Sequence, residues 1–192
     1  MLEPSQTATE NSGGSREALI RAATIRFGEE GYAAATSRRI AQEAGVKQQL
    51  VYYYFRTMDE LLLATFKRRT ARALEKLENQ LEQERPIETL WQDFTSRVDA
   101  RLNFEFMALA NRHEGIREEV ARFVTLSRRM QSEAIGRQLK DNGVDPGPVT
   151  PTTAAFVMYC VSLLLGREAA TGITEGHDEV LAFMDWALGQ TR

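Results

Sequence analysis

Residues Ser37–Phe55 read SRRIAQEAGVKQQLVYYYF, and this stretch decides the fold. Ile40, Ala41 and Ala44 form one apolar stripe at helical spacing, and Thr36 just upstream is a good N-cap. Gly45 follows, the residue best suited to the left-handed conformation that ends one helix and turns sharply into another. Val46, Val51, Tyr54 and Phe55 resume an apolar stripe on a second short helix. Ala41 is small where the second helix must cross close to it. Two helices joined by so tight a turn predict a helix-turn-helix unit, whose second helix enters the DNA major groove.

Projecting the second helix at about 100° per residue sorts its side chains. Val51, Tyr54 and Phe55 share the inner face, with Lys47 near its edge. Gln49, Leu50, Tyr52 and Tyr53 lie outward, and Gln48 sits at the N-terminal tip, the part of a recognition helix that reaches base edges. A glutamine can bond adenine in bidentate fashion and Leu50 can meet a thymine methyl. Tyr52 and Tyr53 can donate to phosphates, which fixes register rather than sequence. Tyr54 reads as a packing residue.

The run resembles the TetR family of transcriptional regulators. The matching stretch extends from about Arg16 to Leu63: a first helix with Ile20, Ala23 and Phe27, then Gly31–Tyr32, Thr36, Ile40–Ala41, Ala44–Gly45–Val46 and Tyr52–Phe55. The resemblance implies that Thr36 and Ser37 touch phosphate at the start of the second helix. It implies that Gln48, Gln49 and Leu50 read bases, and that Tyr52 and Tyr53 hold the backbone. Two positions depart from the pattern. Lys47 stands where the family often has a capping Ser, and Met58 where it often has a phosphate-binding Lys. Lys47 and Arg56 are the two candidates to replace that anchor.

Composition fits this reading. In 192 residues, 43% are hydrophobic and 27% charged, as in an ordinary globular protein with an ample core. The net charge of −3 and pI near 5.6 argue against nonspecific coating of nucleic acid. Charge is not evenly spread, however. Arg38, Arg39, Lys47 and Arg56 face only Glu43 between Ser37 and Arg56, and affinity depends on charges near the phosphates. The single cysteine, Cys160, cannot form an internal disulfide, and its mid-run position predicts a buried, inert thiol. With a polar N-terminus that lacks signal-peptide character, this points to a cytoplasmic protein. The most apolar run, Ala154–Gly166, is too short to cross a bilayer.

Residues 1–14 offer almost nothing to bury, and a disordered tail is expected. Ser15 is the expected cap of a helix from Arg16 to Glu30 that braces the helix-turn-helix, so residues 15–56 form the DNA-binding domain. Thr57-Met58-Asp59-Glu60 is a capping box opening a basic helix to about Glu84. Residues 57–192 then form a helical body: one or two helices over Pro86–Arg112, a break at Gly115 and a long helix over Ile116–Asn142. The loop Gly143–Pro151 follows. Thr150 and Pro151 open an apolar helix to about Ala170, Thr171–Gly176 turns the chain, and a last helix carries Val180 to Leu188. The fold class is all-α: an N-terminal three-helix helix-turn-helix domain followed by a larger helical ligand-binding and dimerisation domain, about nine helices in total.

Ala154–Leu165 is apolar almost all round, which implies burial on more than one side. Helix-turn-helix proteins commonly dimerise to read half-sites about 34 Å apart. A homodimer through Thr150–Leu188 is therefore expected, with Phe156, Tyr159, Leu163, Val180, Met184 and Leu188 as interface candidates. The resemblance implies the same arrangement. The middle helices concentrate bulky side chains, among them Trp91, Phe94, Phe104, Met107, Phe123 and Met130. Singly each reads as core, but together they can line an apolar cavity. The resemblance implies a small-molecule effector there; the residues themselves suggest an apolar or aromatic one, with Asn103, Asn111 and Arg112 as candidate polar partners.

No cofactor, metal site or enzyme is expected. His113-Glu114 lacks metal-ligand spacing, and no phosphate loop, nucleophile elbow or zinc-type Cys/His pair occurs. The expected function is a sequence-specific DNA-binding regulator: a repressor, as most of the family are, released from its operator by the effector. The alternative is a helical dimeric scaffold whose helix-turn-helix no longer reads DNA, which the Lys47 and Met58 departures favour.

Overall fold

The computed structural model describes residues 6–96, 107–145 and 147–191. Among them no strand occurs, and the helices are α1 (Gln6–Glu30), α2 (Ser37–Glu43), α3 (Gln49–Tyr54), α4 (Met58–Leu81), α5 (Pro86–Ser96), α6 (Glu114–Asp141), α7 (Pro151–Ala170) and α8 (His177–Gly189). Residues 107–110 are also helical, giving nine helical segments among the described residues. The all-α expectation is met.

The chain divides into two compact units, Met1–Thr70 with His113–Ile116, and Ala71–Arg112 with Arg117–Arg192. In the first unit the apolar stripe of α1 is buried through Leu19, Ile20, Ala23 and Phe27, together with Ile40 and Ala41 of α2, Val51 of α3 and Leu61 and Leu62 of α4. α1 starts at Gln6, so residues 6–14, expected to be disordered, are helical, and Ser15 is an interior residue rather than a cap. Once a helix is nucleated by its packed half, each added upstream residue fixes only its own dihedrals for one more backbone bond. Residues 1–5 lie outside the described residues.

The helix starts follow local chemistry. Thr57 Oγ1 accepts from Glu60 N at 3.1 Å, while Glu60 Oε2 reaches back to Arg56 N at 2.9 Å. This is the capping box, shifted by one amide on its return arm. Gly115 does not break the chain as expected. It lies in the first turn of α6, where a β-carbon would stand 2.9 Å from Leu63 Cδ2. The glycine is there for close approach, not for a turn.

In the second unit the core gathers Leu77 and Leu81 of α4, Ile87, Leu90 and Trp91 of α5, Ala134, Ile135 and Leu139 of α6, Ala155 and Met158 of α7, and Met184 of α8. Pro86 opens α5 without an amide to satisfy. The next amide, Ile87 N, donates to the buried Gln138 side chain of α6 at 2.9 Å, and Gln138 Nε2 donates to Glu88 at 3.0 Å. Thr150 caps α7 by accepting from Thr153 N at 3.2 Å, as the Thr-Pro pair predicts. Among the described residues α7 alone is long and apolar enough to cross a membrane, because the helix runs beyond the Ala154–Gly166 core of apolar residues. Only 17% of its most apolar window is buried within the chain.

Candidate nucleic-acid interface and ligand cavity

Thr36 sits in extended backbone before α2, and its hydroxyl accepts from Arg39 N at 3.3 Å. Val46 N donates to Ala41 O at 3.0 Å, so the chain turns back onto α2 as soon as it leaves it. Gly45 takes φ +67° at this point, and open space surrounds the place a β-carbon would occupy. What the turn demands of Gly45 is the left-handed backbone itself.

The two short helices are joined by side chains as well. Ser37 is buried, and its Oγ accepts from Gln48 Nε2 at 2.9 Å and lies 2.9 Å from the Tyr52 hydroxyl. One hydroxyl at the start of α2 thus holds the residue before α3 and a residue of its second turn. Beyond this node, Tyr52 is 52% and Tyr53 75% exposed, and Tyr53 stacks edge-on against the half-buried Tyr54 at 4.9 Å. Gln48, Gln49, Lys47, Arg38 and Arg56 are exposed and Leu50 is half-buried. Val51 and Phe55 point inward, with the Arg16 guanidinium 5.2 Å from the Phe55 ring. Gln49, Tyr52 and Tyr53 lie outward and Val51 and Phe55 inward, as in the helical projection, while Leu50, projected outward, and Tyr54, projected inward, are both half-buried at its edges.

Electrostatically the surface is more selective than the sequence count suggests. Arg39 pairs with Glu30, and Glu43 is neutralised by Arg26. Arg38, Lys47 and Arg56 make no ion pair among the described residues and remain as uncommitted cations. Both pairings join positions far apart in sequence, so a local charge count missed them.

The predicted ligand residues separate. Phe94 and Phe123 line a cavity of about 180 Å³ with Lys76, Leu77, Leu90, Asp93, Arg128, Gln131 and Tyr159. Trp91 is instead a buried core residue, Met130 packs against that core, and Met107 is 56% exposed. Asn111 and Arg112 are exposed; Phe104 and Asn103 lie outside the described residues. Side-chain bulk did not separate cavity from core, and the polar lining carried by α4 and α6 had no signal in the sequence. Burial raises the Tyr159 phenol, helped by Cys160 and partly offset by Arg128.

The interface candidates also divide. Phe156, Tyr159 and Val180 are exposed, whereas Met184 is buried in the core and Leu188 and Leu163 are partly covered. The exposed apolar set adds Val157, Leu164, Phe183 and Trp186. Cys160 is exposed, not buried, because it lies on the uncovered side of α7. A helix apolar all round gives no periodicity from which to choose its outer face. Among the described residues no group of three His, Cys, Asp or Glu side chains gathers as a metal site.

Comparison with known proteins agrees with this architecture. Residues 19–65 match the family model described as bacterial regulatory proteins, tetR family. The chain is 44% identical over 52 residues to the HTH-type transcriptional regulator HbdR of Aromatoleum sp. (strain CIB); this match spans 27% of the chain and 23% of that relative. A TetR transcription regulator from Haloarcula marismortui superposes with TM-score 0.71 at 21% identity, over 82% of this chain and 86% of that one. Escherichia coli NemR in its reduced form superposes with TM-score 0.72 at 18% identity, over 88% and 94%. With its capped and glycine-turned helix pair falling inside the matched segment, residues 19–65 carry the segment described by the tetR-family model of bacterial regulatory proteins, and the fold of the chain is shared with the superposed proteins.

Proposed function

We propose that this regulator is a homodimeric repressor that grips its operator through α2 and α3 and leaves it when a small molecule enters the cavity lined by Phe94 and Phe123 in the second unit. The observation that carries the DNA-reading part is the Ser37 node. It orients Gln48 and Tyr52 in advance, so less side-chain freedom is lost on docking. Gln48, Gln49 and Leu50 meet base edges; Thr36, Tyr52 and Tyr53 meet phosphates, with Arg38, Lys47 and Arg56 supplying charge, while Ser37, buried beneath them, acts as the anchor and not as the phosphate contact expected of it. Arg56 and Lys47 take over the phosphate contact that Met58 cannot make.

Dimerisation is supported by the exposed apolar side chains of α7 and α8, which a monomer would leave in water. Two copies of this face pack isologously and set the separation of the two heads. An effector then acts by population shift, lowering operator affinity by its differential affinity for the two head separations.

A gel-shift titration against the DNA upstream of the protein's own gene tests the reading. Tyr52→Phe should weaken binding to all sequences alike, whereas Gln48→Ala should lose discrimination at one base pair. If both variants bind as wild type does, the groove assignment is wrong. Wild-type protein that ignores duplex DNA altogether would favour the scaffold alternative.

A further inference from the structure

We infer that the second-unit cavity lined by Phe94, Phe123 and Tyr159 selects an aromatic carboxylate; this rests on the reading of that cavity as the effector site. Size sets the first limit. The cavity measures about 180 Å³, and an apolar cavity of about 150 Å³ accepts benzene. One six-membered ring with one small substituent fits.

The walls set the second. Phe94 and Tyr159 meet edge-to-face with ring centroids 6.1 Å apart, and Phe123, Leu77 and Leu90 complete an apolar lining suited to a flat ring.

The polar groups set the third. Lys76 and Asp93 pair with each other, so their charges cancel, and Ser127 already donates to Phe123 O at 2.8 Å. Gln80, Arg128, Gln131 and the Tyr159 hydroxyl line the cavity without a side-chain hydrogen bond or ion pair among the described residues, and two of them bear most on the ligand's charge. The Gln131 side chain, largely buried at 8% exposure, makes no hydrogen bond among the described residues and lines the cavity, so its amide is open to a partner from that side. The Arg128 guanidinium has no carboxylate partner among the described residues and lies 4.9 Å from the Phe156 ring. An amide N–H donor and a surplus guanidinium on one lining call for an acceptor that carries negative charge. A neutral hydrocarbon leaves both unmet, and a cationic ring meets Arg128 as a like charge.

The test is calorimetric titration of the full chain with benzoate, toluene and 2-naphthoate, repeated on Arg128→Gln and Gln131→Leu. Benzoate should bind wild type more tightly than toluene does, and 2-naphthoate, carrying the same carboxylate, should lose affinity in Arg128→Gln as benzoate does. Arg128→Gln should weaken benzoate by about tenfold or more while leaving toluene unchanged, which also certifies that the variant's cavity is intact. Gln131→Leu should weaken benzoate and leave toluene unchanged. Toluene binding wild type as tightly as benzoate, or Arg128→Gln leaving benzoate unaffected, overturns the carboxylate inference and leaves the effector site standing. If neither benzoate nor toluene binds, both the ligand class and the cavity as effector site fall together.

Discussion

Gln48 Nε2 donates to Ser37 Oγ over 2.9 Å, and the same oxygen lies 2.9 Å from the Tyr52 hydroxyl. A group proposed to read bases and a group proposed to hold phosphate therefore share one anchor. Ser37→Ala should show both defects at once: operator affinity down about tenfold, and weaker discrimination at the Gln48 base pair. The fold should lose only about 1 kcal/mol, the net worth of a typical hydrogen bond. Fluorescence anisotropy at fixed salt, with a denaturant melt, separates the two effects.

Leu63 stands where a side chain on Gly115 would grow. Gly115→Ala meets only the mobile end of a leucine and gains helix propensity of about 1 kcal/mol, so its stability should fall within about 1 kcal/mol of wild type. Gly115→Val brings branched bulk to the same spot and should destabilise by about 2 kcal/mol. Leu63→Ala in the Gly115→Val background should cost less than Leu63→Ala alone. Additive costs in the double-mutant cycle would refute the contact.

Tyr32 donates its hydroxyl proton to Asp59, whose other carboxylate oxygen lies 3.3 Å from His113 Nδ1. Burial, then the hydrogen bond to Asp59 and its charge, raise the Tyr32 phenol above its ordinary value. The folded protein holds this proton more tightly than the unfolded chain. The resulting stability is complete below the unfolded value of about 10 and is lost as pH climbs from there toward the folded value. Chemical denaturation at stepped alkaline pH should show a falling midpoint. Tyr32→Phe should flatten that fall, leaving the share that the raised Tyr159 contributes.

Phe183 and Trp186 are 58% and 63% exposed, while Met184 between them is 4% exposed. Neighbours on one helix should thus fail differently. Phe183→Glu should give a folded monomer by sedimentation, with operator binding lost. Met184→Glu should lose the fold, since an unpaired charge in a core costs more than about 3 kcal/mol. A dimeric Phe183→Glu protein would remove α8 from the interface.

The parts of the fold legible in the sequence are those decided within a few residues. Thr36, Thr57 and Thr150 cap the helices they precede, and Gly45 turns where a left-handed residue is needed. The candidate interface was legible for the same reason, because α3 is short and one projection sorts Val51 from Tyr53. What depends on distant partners was not. Nothing near Trp91 marks it as core while Phe94, one turn on, faces a cavity; that difference is made by α6 and α7. The same holds for Arg39, whose charge is taken up by Glu30 across the first unit.

The helices that carry Ser37 and Gln49 are seven and six residues long. In water, segments so brief do not hold helical shape unaided. Recognition here is consequently borrowed rigidity, lent by Leu19, Ala23 and Phe27 behind it. A genetic screen for lost operator control would return those hidden positions beside the surface ones. Protein abundance, not the phenotype, would tell the two kinds apart.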